Sequence, residues 1–340
     1  MKTNSIPKEA QYNTTILDSY SKAKSVLEKY EKVTVSVSGG KDSDVMLDII
    51  YRLDAEHKVD YVFYDTGLEY DATKRHLNDL EKKYGIEIHR VKAFKTVPYC
   101  AKHIGQPFIS KIVSGVVETF QKHNFDWKDE DFQTLLGKYS KASSSVRWWC
   151  NEYHLKNGEG AERWNISAIK FLKEFMIQNP PQFNVSAKCC KYAKKKTAAE
   201  YEKGRELCVM GIRQAEGGVR SIKYKNCFSE RKDNISQYRP LFWYRDNDVK
   251  EYSKIFEIRH SDCYEVWRLK RTGCVGCPLA GNLIHELEII EQYEPKLARA
   301  CKAVFKESYE YTLKFRRFAE DMKYKGQLLL VNDNPCDSCL

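Results

Sequence analysis

The sequence predicts an α/β fold, with an open, mostly parallel sheet flanked by helices and a cysteine-bearing helical region towards the C-terminus. Strand-like and helix-like patterns alternate between residues 33 and 91, as they do in parallel sheets. The glycine pair Gly39-Gly40 lies directly between the first such strand and the next helix. A length of 340 residues allows a sizeable core and two domains.

Each early element is predicted from its own pattern. Apolar residues near helical spacing predict an opening helix within residues 10–30. Residues 33–37 alternate as a strand does, and a helical period begins at Val45. Residues 59–64 are predicted as the second strand, followed by a helix capped by Asp71 and a third strand at 86–91.

The later part of the chain is less regular. Residues 207–212 are predicted to rejoin the sheet as a strand, after an irregular and helical insertion at about 95–205 that covers the site. Beyond Tyr238 short aromatic and basic segments appear, followed by helices predicted at about 282–294 and 297–324. We therefore expect a nucleotide-binding domain at 1–235 and a cysteine-containing region at 236–340.

Composition limits the cellular setting. No run of about 18 apolar residues is present, so no membrane segment is expected. The first residues lack the apolar core of a secretory signal, which favours a cytoplasmic protein in which disulfides are unusual. Twelve cysteines in such a chain favour metal binding or redox chemistry for some of them. The net charge of +10 weakly favours an anionic partner such as a nucleotide or nucleic acid.

The run Ser38-Gly39-Gly40-Lys41-Asp42-Ser43 is predicted to bind phosphate. Unpaired backbone N–H groups at the helix start attract anions, and the two glycines allow phosphate to approach the backbone closely. Lys41 adds a positive charge, and the two serine hydroxyls add hydrogen bonds, whereas Asp42 reaches phosphate only through a metal ion such as Mg²⁺. The Gly-x-x-x-x-Gly-Lys pattern of the Walker loop is absent.

This run resembles the PP-loop of the ATP pyrophosphatase superfamily, whose members adenylate a substrate and release pyrophosphate. Further segments resemble the phosphoadenosine phosphosulfate (PAPS) reductase branch and its relatives in DNA sulfur modification: Asp65-Thr66-Gly67, Gly211-Ile212-Arg213 through Arg220, and Arg239-Pro240-Leu241. The resemblance implies an adenine nucleotide held by residues 38–43, Asp65 and Arg220. It also implies catalytic roles for Lys41, Asp42 and Arg213.

Cys274 and Cys277 form a Cys-x2-Cys knuckle, which can direct two thiolates at one metal. In iron-sulfur adenylyl-sulfate reductases a tandem cysteine pair completes a 4Fe-4S site, and Cys189-Cys190 resembles that pair. The resemblance thus implies a cluster on Cys189, Cys190, Cys274 and Cys277. Cys263 is an alternative ligand, and zinc is an alternative metal. Cys336 and Cys339 are a third pair, for which a catalytic, metal-binding or dispensable role stays open.

Three functions fit these features. The first is ATP-dependent adenylation coupled to sulfur transfer, with nucleic acid as one acceptor and a sulfur donor protein as partner. The second is reduction of adenylyl sulfate or PAPS by a cysteine thiolate, with a reductant such as thioredoxin. The third is a non-catalytic nucleotide-binding partner in a larger assembly. Arg147-Trp148-Trp149 has the character of a base-stacking segment, although such residues more often fill a core.

Overall fold

The computed structural model describes residues 10, 13–154, 165–217, 223–230 and 235–332, with side chains to residue 324. The chain divides into two compact units. The first comprises Met1–Val97, Cys190–Val275 and Glu286–Leu297, and the second comprises Pro98–Cys189, Gly276–His285 and Ala298–Leu340. The boundary that the sequence predicts near residue 235 therefore lies inside the first unit.

The helices have the following bounds: α1 Thr14–Lys29, α2 Lys41–Leu53, α3 Asp71–Tyr84, α4 Val97–His103, α5 Lys111–Lys122, α6 Phe132–Lys138, α7 Ser143–Trp149, α8 Leu172–Gln178, α9 Thr197–Tyr201, α10 Asp246–Ile255, α11 Asp262–Glu265, α12 Leu283–Tyr293, α13 Pro295–Val304 and α14 Lys306–Asn332. A π-helical turn, Lys191–Lys196, precedes α9. No helix among the described residues combines the length and the apolar character needed to cross a membrane.

The first unit contains a six-stranded sheet in the order β3-β2-β1-β4-β6-β5. Its strands are β1 Val33–Ser36, β2 Val59–Asp65, β3 Ile88–Lys92, β4 Leu207–Met210, β5 Phe228–Ser229 and β6 Ser236–Tyr238. All neighbouring strands run parallel except the β5–β6 pair. The predicted α/β class is therefore confirmed, and β4 does rejoin the sheet beside β1.

The register places the carboxyl ends of three strands together. Val33 lies opposite Val59 of β2 and Leu207 of β4, and Ser36 lies opposite Val62 and Met210. In an open parallel sheet ligands bind at this edge. The loop that follows β1 therefore emerges where the fold class favours a binding site.

Each unit has its own hydrophobic core. In the first, α1 buries Ile16, Tyr20, Ala23 and Leu27, which are spaced to lie on one face of a helix. Asn13 caps this helix, because its side chain accepts hydrogen bonds from the amides of Thr15 and Ile16. In the second unit, helices α5 to α8 pack around the buried residues Phe120, Trp149 and Phe175.

Two details of the predicted helices are wrong: one cap residue, and one long helix that is two. Asp71 does not cap α3; it is the first helical residue, and Tyr70 occupies the cap position. The free amides of Asp71 and Ala72 donate instead to the Glu294 carboxylate, at 3.0 and 2.8 Å. The long helix predicted at 297–324 is two helices, α13 and α14, which meet at Phe305.

Candidate functional site

The loop at residues 38–43 has a conformation that strongly favours glycine at its second position. Gly39 has φ +67°, and a Cβ there would lie 2.8 Å from Thr73 Cγ2 of α3. Gly40 is the extended cap residue of α2, and Lys41 is the first helical residue. The Ser38 amide donates to Ser43 Oγ at 2.8 Å, which closes the loop over the first turn of α2.

A cavity of about 830 Å³ opens beside this loop. Residues 38 and 40–43 line it, together with residues from the ends of β2 and β4 and from segments 194–202 and 264–273. Seven lining residues are Lys or Arg and five are Asp or Glu, a balance that favours an anionic ligand. The volume lies within the range of small-molecule and cofactor sites.

Arg213 connects the loop to two other elements. Its Nε donates to Asp42 Oδ2 and its Nη1 to Asp246 Oδ1, both at 2.8 Å. Burial raises the pKa of Asp42, and the guanidinium of Arg213 opposes that rise. Next to Arg213, a Cβ on Gly211 would lie 3.1 Å from the Asp42 carbonyl oxygen, so β4 ends against the loop. Lys41, Asp42 and Arg213 therefore lie together beside the cavity.

Asp65, another predicted nucleotide ligand, is not placed in this cavity. Asp65 ends β2, and its Oδ1 accepts a hydrogen bond from the Gly67 amide at 2.8 Å. That contact stabilises the turn after β2, where Gly67 has φ +80°. Asp65 is not among the residues that line the cavity. Arg220 lies outside the described residues.

Beneath the loop is a buried group of ionisable side chains that the sequence reasoning missed. Asp44 of α2 is fully buried, with Oδ2 2.8 Å from His260 Nδ1 and 3.0 Å from His76 Nε2. Burial acts to raise the pKa of Asp44, but the two imidazoles outweigh it and lower that pKa. Burial likewise acts to lower the pKa of His76, and Asp44 raises it overall. The group fixes α2 to α3 and to the segment before α11.

The segment at 264–273 is a second feature that sequence reasoning missed. The Tyr264 hydroxyl lies 2.8 Å from Thr272 Oγ1 and accepts from the Thr272 amide at 3.1 Å. A Cβ on Gly40 would be 3.2 Å from the same hydroxyl, and Lys41 Nζ lies 4.9 Å from the Tyr264 ring centroid. The basic pair Lys270-Arg271 beside the knuckle was the available signal.

The predicted metal ligands are distributed over both units. Cys190 and Cys274 belong to the first unit, and Cys189 and Cys277 to the second. Burial raises the pKa of Cys274, with Lys194 opposing the rise, and its Sγ lies 3.6 Å from Thr66 Oγ1. Within the described ranges no group of three or more His, Cys, Asp or Glu side chains is arranged so that it could hold a metal ion.

Other cysteines have simpler environments. Cys208 is only 2% exposed, which agrees with a core position in β4. Cys263, the alternative ligand, is fully buried in α11, and burial raises its pKa to about 11. Cys336 and Cys339 lie beyond the part of the chain that the structure describes.

Residues 32–108 match the family model described as the phosphoadenosine phosphosulfate reductase domain. An uncharacterized protein of Methanocaldococcus jannaschii is 40% identical over 87 residues, which are 24% of this chain and 18% of that protein. The chain thus spans less than a fifth of that relative's length.

Similar solved structures are distant. They include the PAPS reductase of Candida auris in a phosphate complex (TM-score 0.38, 14% identity, 77% of this chain and 93% of that one). They also include the U34-tRNA thiolase of Methanococcus maripaludis with its 4Fe-4S cluster (TM-score 0.37, 13% identity, 94% and 88%). Similarities of this size do not indicate function. The match to the phosphoadenosine phosphosulfate reductase domain falls on the loop and the first three strands of the sheet, and it covers residues 32–108.

Proposed function

We propose that this protein is an enzyme that binds ATP at residues 38–43, adenylates an acceptor and releases pyrophosphate as a step of sulfur transfer. The observation that carries the proposal is the intact loop, in which Gly39 has positive φ and α2 begins at Lys41 beside an 830 Å³ cavity. A site of this kind suits a departing pyrophosphate, because amides and a helix N-terminus already point at it.

In the first step, an acceptor oxygen attacks the α-phosphorus of Mg²⁺-ATP, and the bond from that phosphorus to the β-phosphate oxygen breaks. Lys41 stabilises the negative charge that develops on the leaving pyrophosphate. Arg213 contributes charge from the end of β4, held in place by Asp42 and Asp246. In the second step, a sulfur nucleophile displaces AMP from the adenylated acceptor, which retains the sulfur.

Reduction of adenylyl sulfate or PAPS is the second candidate. The tandem pair Cys189-Cys190 and the knuckle at Cys274 favour it by resemblance. The raised pKa of Cys274 counts against that residue as the nucleophile, because the thiolate is the reactive form. No pyrophosphate departs in this reaction, so the loop would have no leaving group to hold.

Product analysis separates the two reactions and the non-catalytic alternative. Protein prepared without oxygen is incubated with ATP or with adenylyl sulfate. We expect pyrophosphate from ATP when an acceptor such as a nucleic acid is present, and AMP when a sulfur donor is supplied as well. Sulfite and AMP from adenylyl sulfate, with ATP left intact, would replace this proposal by reduction. Tight ATP binding without any product would support a non-catalytic nucleotide-binding partner.

We include in this proposal a 4Fe-4S cluster on Cys189, Cys190, Cys274 and Cys277. Neither the adenylation nor the displacement of AMP depends on it. Protein purified without oxygen is expected to contain iron and acid-labile sulfide. Cys274→Ser should remove both, whereas Cys227→Ser, at a cysteine without ligand-like spacing, should retain them. Stoichiometric zinc without sulfide would establish the zinc alternative instead.

A further inference from the structure

The Glu202 carboxylate follows α9 and lines the same cavity as the phosphate loop. Its Oε1 accepts hydrogen bonds from the Tyr64 hydroxyl at 3.0 Å and from the Cys208 thiol at 3.2 Å. The Glu202 side chain makes no other hydrogen bond or ion pair within the described residues, so Oε2 keeps both of its lone pairs. A carboxylate without a cationic partner inside a cavity rich in basic residues calls for a ligand that donates hydrogen bonds.

The two donors hold this carboxylate in a defined position. Cys208 is 2% exposed, and burial followed by the neighbouring Glu202 raises the pKa of its thiol. Burial, followed by the neighbouring Glu202, also raises the pKa of the Tyr64 hydroxyl. Both groups therefore remain protonated at neutral pH and can donate to Glu202. Such fixed polar groups give specificity to ligand pockets.

The sheet register limits how far the two donors to Glu202 lie from the phosphate loop along the strands. Cys208 lies opposite Thr34 of β1, and Tyr64 follows by two residues Val62, which lies opposite Ser36. Cys208 therefore lies roughly 13 Å along the strands from the level of Ser38, at about 3.3 Å per residue, whereas Tyr64 lies level with Ser38. An extended nucleoside triphosphate whose terminal phosphates occupy the loop can place its nucleoside within that span.

We propose that Glu202 binds the ribose hydroxyls of the nucleotide and makes the cavity selective for an unsubstituted ribose. A ribose diol offers two O–H donors, which match the two lone pairs left on Oε2. Adenine is a poorer match for Glu202. Its amino group is a donor, but the ring nitrogen beside that group is an acceptor, and its lone pair and the carboxylate would repel each other. Acidic residues bind ribose hydroxyls in this way in dinucleotide-binding folds.

This assignment rests on the proposed ATP-binding function and narrows it. A 3′-phosphate would place negative charge beside the Glu202 carboxylate, and the two negative charges would repel each other. The cavity is therefore expected to accept ATP and adenylyl sulfate, and to discriminate against PAPS and adenosine 3′,5′-bisphosphate.

The test compares nucleotides that differ only at the ribose or the base, by calorimetry on the full chain. The 2′-deoxy and 3′-deoxy forms of ATP should each bind about tenfold more weakly than ATP, because each loses a hydrogen bond to a charged acceptor. Inosine triphosphate, which changes the base, should bind as ATP does. AMP should bind more tightly than adenosine 3′,5′-bisphosphate.

Glu202→Gln should reduce the discrimination against the 3′-phosphate and against the deoxy nucleotides. Glu200→Gln is the matched control, since it removes one negative charge two residues earlier, at an exposed residue that pairs with Lys203 at 2.6 Å. The comparison of nucleotides on the unaltered protein does not depend on how either variant folds.

The possible failures are distinguishable. Equal affinity for ATP and both deoxy nucleotides would overturn the ribose assignment and leave ATP binding intact. Weaker binding of inosine triphosphate than of the deoxy nucleotides would do the same. If no adenine nucleotide binds to folded protein, the proposed function and this inference both fall.

Discussion

Gly39 shows what one residue contributes to the candidate site. Replacing it with Ala combines a left-handed backbone with a Cβ placed 2.8 Å from Thr73 Cγ2. We expect Gly39→Ala to destabilise the fold by about 1 kcal/mol or more and to weaken ATP binding at least about tenfold, because the loop must shift. Calorimetry and thermal unfolding measure the two effects.

Gly85→Ala is the control for this prediction. Gly85 has φ +64°, but nothing lies within 4 Å of an added Cβ there, and the residue does not line the cavity beside the loop. The backbone cost should be similar while ATP binding is unchanged. Equal ATP affinity in both variants would show that the Gly39 conformation is not needed for binding.

The buried pair of His76 and Asp44 should make stability depend on pH. The pKa of His76 is raised in the folded state, so its contribution is complete below its unfolded value of about 6.5 and is lost as pH rises through the folded pKa. The pKa of Asp44 is lowered, so its contribution is complete above about 3.9 and is lost as pH falls through the folded pKa. Stability from this pair should therefore be greatest between these limits.

Urea unfolding from pH 4 to pH 9 tests this dependence. In the unaltered protein the free energy of unfolding should fall above pH 6.5, and in His76→Gln that fall should be smaller. His89→Gln is a suitable control, because the His89 side chain is only partly buried and lies 3.6 Å from the exposed Glu87. A pH profile identical in all three proteins would contradict a charged His76.

At the scale of elements, Arg213 joins β4 to the starts of α2 and α10 through Asp42 and Asp246. Arg213→Lys keeps the positive charge, but a lysine cannot bridge two carboxylates as the planar guanidinium does. We expect pyrophosphate release from ATP to fall by about tenfold or more, as expected when a positioned charge is displaced. Steady-state kinetics with ATP measure this loss.

Arg205→Lys tests the same exchange at the opposite end of β4. Arg205 pairs with Asp60 near the start of β2, away from the residues that line the cavity. Turnover should be nearly unchanged in this variant. If both variants lose the same activity, the effect of Arg213 is one of general stability.

Local sequence was enough to predict the elements around the loop. The alternation in β1, the glycine pair and the period of α2 are contained in about twenty consecutive residues, and the structure places all three as expected. The Asp44 group could not be predicted in this way, because His76 and His260 approach it only through the packing of α3 and of the segment before α11. Asp71 was misassigned for the same reason, since the acceptor for its amide is Glu294, which is distant in sequence.

At the scale of the whole molecule, the sequence did not predict how the chain divides. The predicted boundary at 235 rested on a change in composition, yet β6 at Ser236–Tyr238 pairs with β4 inside the sheet. A composition change reports solvent exposure and residue type, whereas strand pairing depends on contacts between distant segments. The predicted insertion at about 95–205 agrees better with the observed division, because most of it, Pro98–Cys189, belongs to the second unit.

The second unit has its own aromatic core, which gives the last prediction. Trp149 is fully buried, with ring centroids 5.9 Å from Phe120 and 5.3 Å from Phe125, and its Nε1 donates to the Lys128 carbonyl. Trp148 is also buried, so these tryptophans fill a core, and base stacking is not their role. Trp149→Ala should destabilise the protein by about 3–5 kcal/mol, mainly through the cavity that it leaves.

ATP binding should respond differently to this loss, because every residue that lines the cavity beside the loop belongs to the first unit. Below its unfolding temperature, Trp149→Ala should bind ATP with the affinity of the unaltered protein. Leu47→Ala is the matched comparison: Leu47 is fully buried in α2, so its loss should disturb the helix that carries the loop and weaken ATP binding as well as stability. Equal loss of affinity in both variants would mean that the core of the second unit also determines the nucleotide site.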